Sequence, residues 1–286
     1  MRTAVYFVIL MLGLSASSAT SESYIRRHAV EIANDDFPSS VIRRMQRYKV
    51  VILGEGHGTV ETPNAALSLA CQLAFERPVT LALEISTDNQ SGIAEFMKSG
   101  KVEILHALPH FKNGYPDGRS SVFMFNILRS ARDCQNLDVL FFSPEHYGGN
   151  QDANSKMAET IQNFLAAHPS NELVVLTGNV HGSTTIGFPF DPTLKPMAFE
   201  LTHRMPSPLK RSELFTIRAR YGGGASWECL DDLREHCGPV KELGYPEAYT
   251  AAVKFETYFL TEPRATDGYD ASLFFRNVSA SPPLSE

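Results

Sequence analysis

Short apolar segments alternate with amphipathic segments through the middle of the chain. Four of the apolar segments are continuous, as is typical of strands that are buried on both faces: 50–53, 79–83, 138–142 and 173–176. Between them, apolar residues recur at helical spacing after Thr62 and Pro63, over 121–132 and over 157–168. This alternation predicts an α/β fold in which a mainly parallel central β-sheet carries helices on both faces.

The C-terminal third of the sequence is less regular. We predict further strands over 197–201, 214–220 and 251–260, and the last of these alternates like a half-exposed edge strand. No internal repeat or linker interrupts the pattern, so we expect a single α/β domain over residues 20–278. The short segment 279–286 is expected to be a disordered tail.

The N-terminus has the pattern of a secretory signal peptide over residues 1–19. Arg2 precedes an apolar run over 4–14, and small residues follow at Ser17 and Ala19. The run is too short to cross a bilayer, which needs about 20 apolar residues. We therefore expect the mature protein to be exported to the periplasm or the medium, without stable membrane insertion.

Composition narrows the class of partner. The 286 residues are 43% hydrophobic and 20% charged, and the net charge is −6, with no basic surplus to indicate nucleic-acid binding. A small-molecule or peptide substrate is the expected partner, and the oligomeric state is open.

Export makes disulfide bonds the favoured state of the four cysteines. We expect Cys229 to pair with Cys237 across a short segment, and Cys71 to pair with Cys134 across two predicted helices. Buried free thiols are the alternative. No C-x-x-C spacing indicates a zinc site.

Carboxylates and imidazoles follow the ends of the four central strands. Glu55 and His57 come after the first strand, Glu84 after the second, and His181 after the fourth. Because the carboxyl ends of parallel strands share one sheet edge, these side chains are expected to converge there. An acid directly after a buried strand, such as Glu84, must be solvated, paired or coordinated.

Two kinds of chemistry fit this set. The four residues Glu55, His57, Glu84 and His181 are candidate catalytic groups, in which an imidazole takes a proton from water while a carboxylate orients it. Alternatively, His57, Glu84 and His181 are candidate ligands of zinc or manganese. Either arrangement would hydrolyse an ester, amide or peptide bond.

Three further residues are candidates for contact with substrate: Glu61, Asn179 and Arg132. For Glu61 the alternative is stabilisation of a helix N-terminus, where a negative charge is favourable. For Arg132 the alternative is a solvated helix face. Glu145 and His146 are expected to be loop residues.

The motifs Gly54-Glu55-x-His57-Gly58-Thr59 and Gly178-Asn179-x-His181, together with Glu84, resemble those of the erythromycin esterase / ChaN-like / Tiki superfamily. The segment 157–161 and Gly187-Phe188-Pro189 are most similar to the ChaN-like haem-binding branch. The element His57-Gly58-Thr59-x-Glu61 is similar to the esterase branch.

The resemblance implies an α/β fold and a pocket formed by Glu55, Glu84 and His181 around His57 as the base. The function expected is that of an exported, esterase- or metallopeptidase-like hydrolase. The alternative is a periplasmic haem- or iron-binding protein without turnover, for which Tyr115 and Tyr147 are available but unmarked by any motif. A purely structural role is a third possibility.

Overall fold

A mainly parallel, eight-stranded sheet forms the centre of the molecule. The structure is a computed structural model that describes residues 22–112, 118–204, 209–229, 236–242, 244, 247–262 and 267–284. The strands are β1 (Val30–Glu31), β2 (Val50–Glu55), β3 (Val79–Ser86), β4 (Leu137–Ser143), β5 (Glu172–Gly178), β6 (Leu214–Tyr221), β7 (Ala225–Cys229), β8 (Cys237–Lys241), β9 (Thr257–Thr261) and β10 (Ala271–Phe275). The signal peptide expected over 1–19 lies outside the described residues.

The helices connect these strands. They are α1 (Glu22–His28), α2 (Ser39–Met45), α3 (Glu61–Ala74), α4 (Gln90–Ser99), α5 (Val102–Ala107), α6 (Pro109–Lys112), α7 (Val122–Ala131), α8 (Asn150–Ala167), α9 (Asn179–Gly182), α10 (Met197–His203) and α11 (Glu247–Ala252). Among the helices of the described residues, none is both long and apolar enough to span a bilayer.

The order of strands in the sheet is β1-β9-β10-β6-β2-β5-β3-β4. The six strands from β10 to β4 run parallel, whereas β9 is antiparallel to both of its neighbours. A separate antiparallel pair is formed by β7 and β8. The predicted fold class, a mainly parallel α/β sheet, is confirmed.

Strand β2 shows why its apolar run is continuous. Val51 and Leu53 belong to the core that packs under α3, α4 and α7, whereas Val50 and Ile52 belong to the core under α8 and α10. Successive side chains of a strand point to opposite faces, so a strand covered by helices on both faces needs apolar residues at every position.

The C-terminal third differs from two of the predicted strands. Residues 197–201 lie in helix α10, because Met197, Ala198 and Leu201 bury a helical face against α8. The range 251–260 contains the end of α11 and most of β9, and β9 has a partner on both sides instead of lying at the sheet edge. The prediction over 214–220 corresponds to β6.

The structure also differs from the expected disordered tail. Residues 279–284 run alongside the loop after β2 and the start of α7, where Ser281 N donates to Gly58 O at 2.9 Å and Leu284 N donates to Ser120 O at 3.1 Å. Val60 N and Val122 N donate to carbonyls of this segment, each at 3.0 Å. The segment is held mainly by its backbone, which composition does not reveal.

Both predicted disulfide bonds are confirmed. Cys71 in α3 is bonded to Cys134 after α7, and Cys229 in β7 is bonded to Cys237 in β8. The first joins two elements that pack on the same face of the sheet, and the second closes a short antiparallel pair. These bonds agree with the expected oxidising compartment.

Candidate active site

Three neighbouring parallel strands bring the candidate residues to one edge of the sheet. In the order β2-β5-β3, Glu55 lies at the end of β2, Gly178 lies opposite it at the end of β5, and Glu84 lies near the end of β3. Crossover connections place the ends of such strands side by side, although the residues are far apart in sequence.

Glu84 is the central group of the site. Its side chain is buried, Oε2 accepts hydrogen bonds from Thr177 Oγ1 at 2.7 Å and Gly178 N at 2.8 Å, and Oε1 accepts one from Arg119 Nη1 at 2.9 Å. A buried carboxylate needs such partners to remain charged. Glu84 lies within β3 instead of after it, and it is paired, which is one of the three alternatives expected for this acid.

His57 lies between two carboxylates. Its Nδ1 is 3.0 Å from Glu55 Oε1, and its Nε2 is 3.7 Å from Glu84 Oε1. The loop that carries it is held from β6, because Tyr221 OH donates to Gly56 O at 3.1 Å. Gly58, at φ +87°, lies against the backbone of Trp227, where no Cβ would fit.

His181 has a neutral hydrogen-bond partner instead. Its Nδ1 is 2.8 Å from Asn154 Oδ1, and its Nε2 is 3.8 Å from Glu84 Oε1. The two histidines thus approach the same carboxylate oxygen, one supported by Glu55 and the other by Asn154.

The surroundings of the two histidines shift their pKa values in opposite directions. For His57, burial alone would lower the pKa, but the negative charge of Glu84, 3.7 Å from Nε2, and the hydrogen bond to Glu55 outweigh it and raise the pKa to about 10. For His181, burial lowers the pKa and the cations of His57 and Arg119 act in the same direction, which the charge of Glu84 offsets only in part. At neutral pH, His57 is therefore the cation and His181 the neutral imidazole.

The carboxylates differ as well. Burial raises the pKa of Glu55, although its hydrogen bond to His57 opposes the shift. Burial also acts to raise the pKa of Glu84, but at the acidic pH where a carboxyl group titrates His181 is protonated too, and the positive charges of His181, His57 and Arg119 hold the pKa of Glu84 well below its usual range. Glu84 is therefore the permanently charged anion of the site. Glu55 Oε2 is buried and has no hydrogen-bond partner among the described residues.

The histidines and carboxylates line an open cleft of about 710 Å³, a size suited to a small molecule or short peptide. Its lining includes the polar side chains of Arg119 and His110 as well as Pro144, Tyr147 and Met157. The cleft can therefore contact both polar and apolar parts of a ligand.

The residues do not form a metal-ligand set. Within the part of the chain that the structure describes, no group of three His, Cys, Asp or Glu side chains is arranged to hold a metal ion. Both oxygens of Glu84 already accept hydrogen bonds, and the Arg119 guanidinium provides a positive charge beside one of them. The zinc or manganese prediction thus gains no support from the geometry.

The haem alternative also gains no support at this site. Tyr115 lies outside the described residues, and Tyr147 is an exposed residue at the cleft. The haem alternative therefore stays a prediction.

The structure brings together all four residues predicted as catalytic, but only one of those predicted to contact substrate. Asn179 lines the cleft, and its buried Oδ1 has no hydrogen-bond partner among the described residues. Glu61 lies away from the cleft lining, and its carboxylate accepts a hydrogen bond from Ser279 N at 2.9 Å.

Arg132 also lies away from the cleft, beside a second cavity of about 390 Å³ near Gly100. Helix α7 runs back across the sheet, so its first residues lie near the site and its last residues lie near the opposite edge.

Glu145 and His146 were expected to be loop residues, and both lie on the loop after β4. Glu145 lines the cleft, and its Oε1 is 3.3 Å from Nε2 of the exposed His146.

Two residues of the site are not among the candidates predicted from sequence. Arg119, not Arg132, is the arginine that pairs with Glu84, and its position before α7 carries no motif. Asn154 is fully buried on a helix face that also contains Ala153, Met157, Ala158 and Ile161. A polar residue within an apolar helical stripe is a signal that the sequence did contain.

Comparison with known proteins identifies the fold. No family model and no curated protein matches the sequence. Among solved structures, a protein from Bacillus cereus aligns with 12% identity over 92% of this chain and 98% of its own, at a TM-score of 0.66. A succinoglycan biosynthesis protein aligns with 11% identity over 91% of this chain and 97% of its own, at a TM-score of 0.65.

The erythromycin esterase EreC, in an open conformation, aligns with 12% identity over 86% of this chain and 94% of its own, at a TM-score of 0.63. The α/β fold that the resemblance implied is therefore confirmed, and this chain shares it with an erythromycin esterase. At this identity the likeness shows the fold alone.

Proposed function

We propose that the protein hydrolyses an ester or amide bond of a small molecule or short peptide that binds in the cleft. The observation that carries this proposal is the pair of histidines whose Nε2 atoms lie 3.7 and 3.8 Å from the same oxygen of Glu84, one with a carboxylate and the other with an amide at Nδ1. These surroundings shift the two pKa values in opposite directions. When neighbouring histidines differ in pKa in this way, one can accept a proton while the other stays a cation that stabilises developing negative charge. The fold shared with an erythromycin esterase makes an ester the first bond to test.

In the proposed reaction, His181 accepts the proton of a water molecule at Nε2 while the water oxygen attacks the carbonyl carbon. The negative charge that develops on the carbonyl oxygen is stabilised by the protonated His57 and by Arg119. The tetrahedral intermediate then collapses, and His181 returns its proton to the leaving oxygen or nitrogen. Glu84 keeps both histidines and Arg119 in position.

This assignment differs from the expectation from sequence, in which His57 was the base. A histidine that is protonated at neutral pH cannot accept the proton of water, whereas a neutral one can. The charge and hydrogen bonds around His57 favour the cation, and the surroundings of His181 favour the neutral ring.

The test is turnover of nitrophenyl esters of increasing acyl length, and of an amide panel, by the purified full-length protein. We expect His181→Gln to lower kcat/KM by about 10²- to 10⁴-fold, the usual contribution of a general base. His168→Gln is the control, because His168 is exposed at the other end of helix α8. Equal rates for both variants and the unsubstituted protein would refute the proposed role of His181.

A further inference from the structure

Asn154 carries a polar amide in a buried position, where an amide destabilises the fold unless it is fully hydrogen-bonded. Its side chain is completely buried in helix α8, between Ala153 and Met157, which both line the cleft. A buried polar group without partners loses its hydration and gains nothing in return.

The neighbours of Asn154 fix the orientation of its amide. Asn154 Nδ2 donates to Asn150 O at 2.7 Å, and Oδ1 accepts from Met197 N at 2.8 Å. A backbone carbonyl only accepts and a backbone N–H only donates, so the reverse orientation of the amide would break both bonds. The oxygen of Asn154 is therefore the atom that faces His181 Nδ1, 2.8 Å away.

That oxygen decides which ring nitrogen of His181 carries the proton. An acceptor beside Nδ1 requires Nδ1–H, and in a neutral ring this leaves the lone pair on Nε2. We propose that Asn154 positions His181 by holding its ring in the Nδ1–H tautomer, with Nε2 free to accept a proton. This inference rests on the proposed function only for the purpose of the tautomer, which is to let Nε2 accept the proton of water.

A neutral orienting group has a second effect. The charged and titratable groups that influence His181 are Glu84, His57 and Arg119, and Asn154 adds no charge to them. A carboxylate in its place would stabilise the imidazolium and raise the pKa of His181, as Glu55 and Glu84 do for His57. An amide fixes the tautomer and leaves the ring neutral.

The experiment compares Asn154→Asp and Asn154→Leu in the full-length protein, with the nitrogens of histidine labelled for NMR. The resonances of His181 are identified by their absence in His181→Gln. We expect the Nδ1–H tautomer in the unsubstituted protein and in Asn154→Asp, and its loss in Asn154→Leu. In Asn154→Asp, we expect the pH midpoint of His181 to rise by about one to three pH units.

Gln162 offers a matched control on the same helix. It is also a buried amide, and its Nε2 is 3.4 Å from Leu201 O instead of bonding to His181. Gln162→Leu and Gln162→Asp should leave both the tautomer and the midpoint of His181 unchanged.

Three results would overturn the role of Asn154: an Nε2–H tautomer in the unsubstituted protein, an unchanged tautomer in Asn154→Leu, or an unchanged midpoint in Asn154→Asp. The first and third do not depend on the folding of the leucine variant. The spectra require no substrate, so a protein that shows the tautomer effect without any turnover would refute the proposed hydrolysis and leave the role of Asn154 intact.

Discussion

The two sides of the site place a histidine against the same oxygen of Glu84, but they surround it differently. On the side of β2, His57 is bonded through Nδ1 to a carboxylate, Glu55. On the side of α8, His181 is bonded through Nδ1 to an amide, Asn154. The distances from the two Nε2 atoms to Glu84 Oε1 are 3.7 and 3.8 Å, so the shared anion does not distinguish them.

The difference between the two histidines therefore comes from the group that is bonded to Nδ1 of each ring. A carboxylate behind the ring favours the imidazolium, and an amide fixes the ring without favouring its charge. The same residue type acquires two protonation states at neutral pH within one cleft. This separation gives the cleft a proton acceptor and a fixed cation, the two roles that the proposed reaction assigns to His181 and His57.

Removing the shared anion should have the largest effect. We expect Glu84→Gln to lower kcat/KM by about 10²- to 10⁴-fold, because it removes the charge that protonates His57 and the anchor that both rings share. Ester turnover measures the loss.

Glu172→Gln is the matched control for this substitution. Glu172 is a largely buried carboxylate at the other end of the same sheet, paired with Arg77 as Glu84 is with Arg119. Both variants should lose stability, but only Glu84→Gln should lose activity. Similar turnover by the two variants would contradict the central place of Glu84.

Much of the site could be predicted from sequence because strand ends of a parallel sheet converge. Continuous apolar runs indicated the strands, and the polar residues that follow them were Glu55, His57, Glu84 and His181. The supporting residues could not be found this way. Arg119 reaches Glu84 from a loop whose path depends on the tertiary structure, and Asn154 reaches His181 from a helix more than 20 residues away in sequence.

The C-terminal third was harder for a different physical reason. In the segment that begins at Met197, the apolar positions of a five-residue window fit either a strand or a helix, and packing against α8 decides for the helix. The segment 279–284 is held by backbone hydrogen bonds to residues such as Gly58 and Ser120. Every residue except proline can donate such bonds, so composition cannot indicate them.

The charge of His57 should also appear in the pH dependence of stability. Its pKa is raised from about 6.5 in the unfolded chain to about 10 in the folded protein. Its contribution to the free energy of unfolding is therefore complete below pH 6.5 and is lost as the pH rises toward 10. The slope cannot exceed about 1.4 kcal/mol per pH unit for one proton.

Urea unfolding between pH 7 and 9.5 measures this slope. We expect it in the unsubstituted protein and in His168→Gln, but not in His57→Gln. If His57→Gln keeps the same slope, another group is responsible for it, and His57 does not carry the raised pKa that distinguishes the two sides.

The smallest effect is expected from substitution of Glu55, and this substitution distinguishes the two sides of the site most directly. In the pH profile of kcat/KM, the acid limb belongs to His181, whose pKa is lowered, and the alkaline limb near pH 10 belongs to His57. Glu55→Gln keeps a hydrogen-bond acceptor for His57 Nδ1 but removes a charge. We expect the alkaline limb to move down by about one pH unit while the acid limb stays in place. A shift of both limbs together would mean that the two histidines titrate as one unit and that the contrast between Glu55 and Asn154 does not separate them.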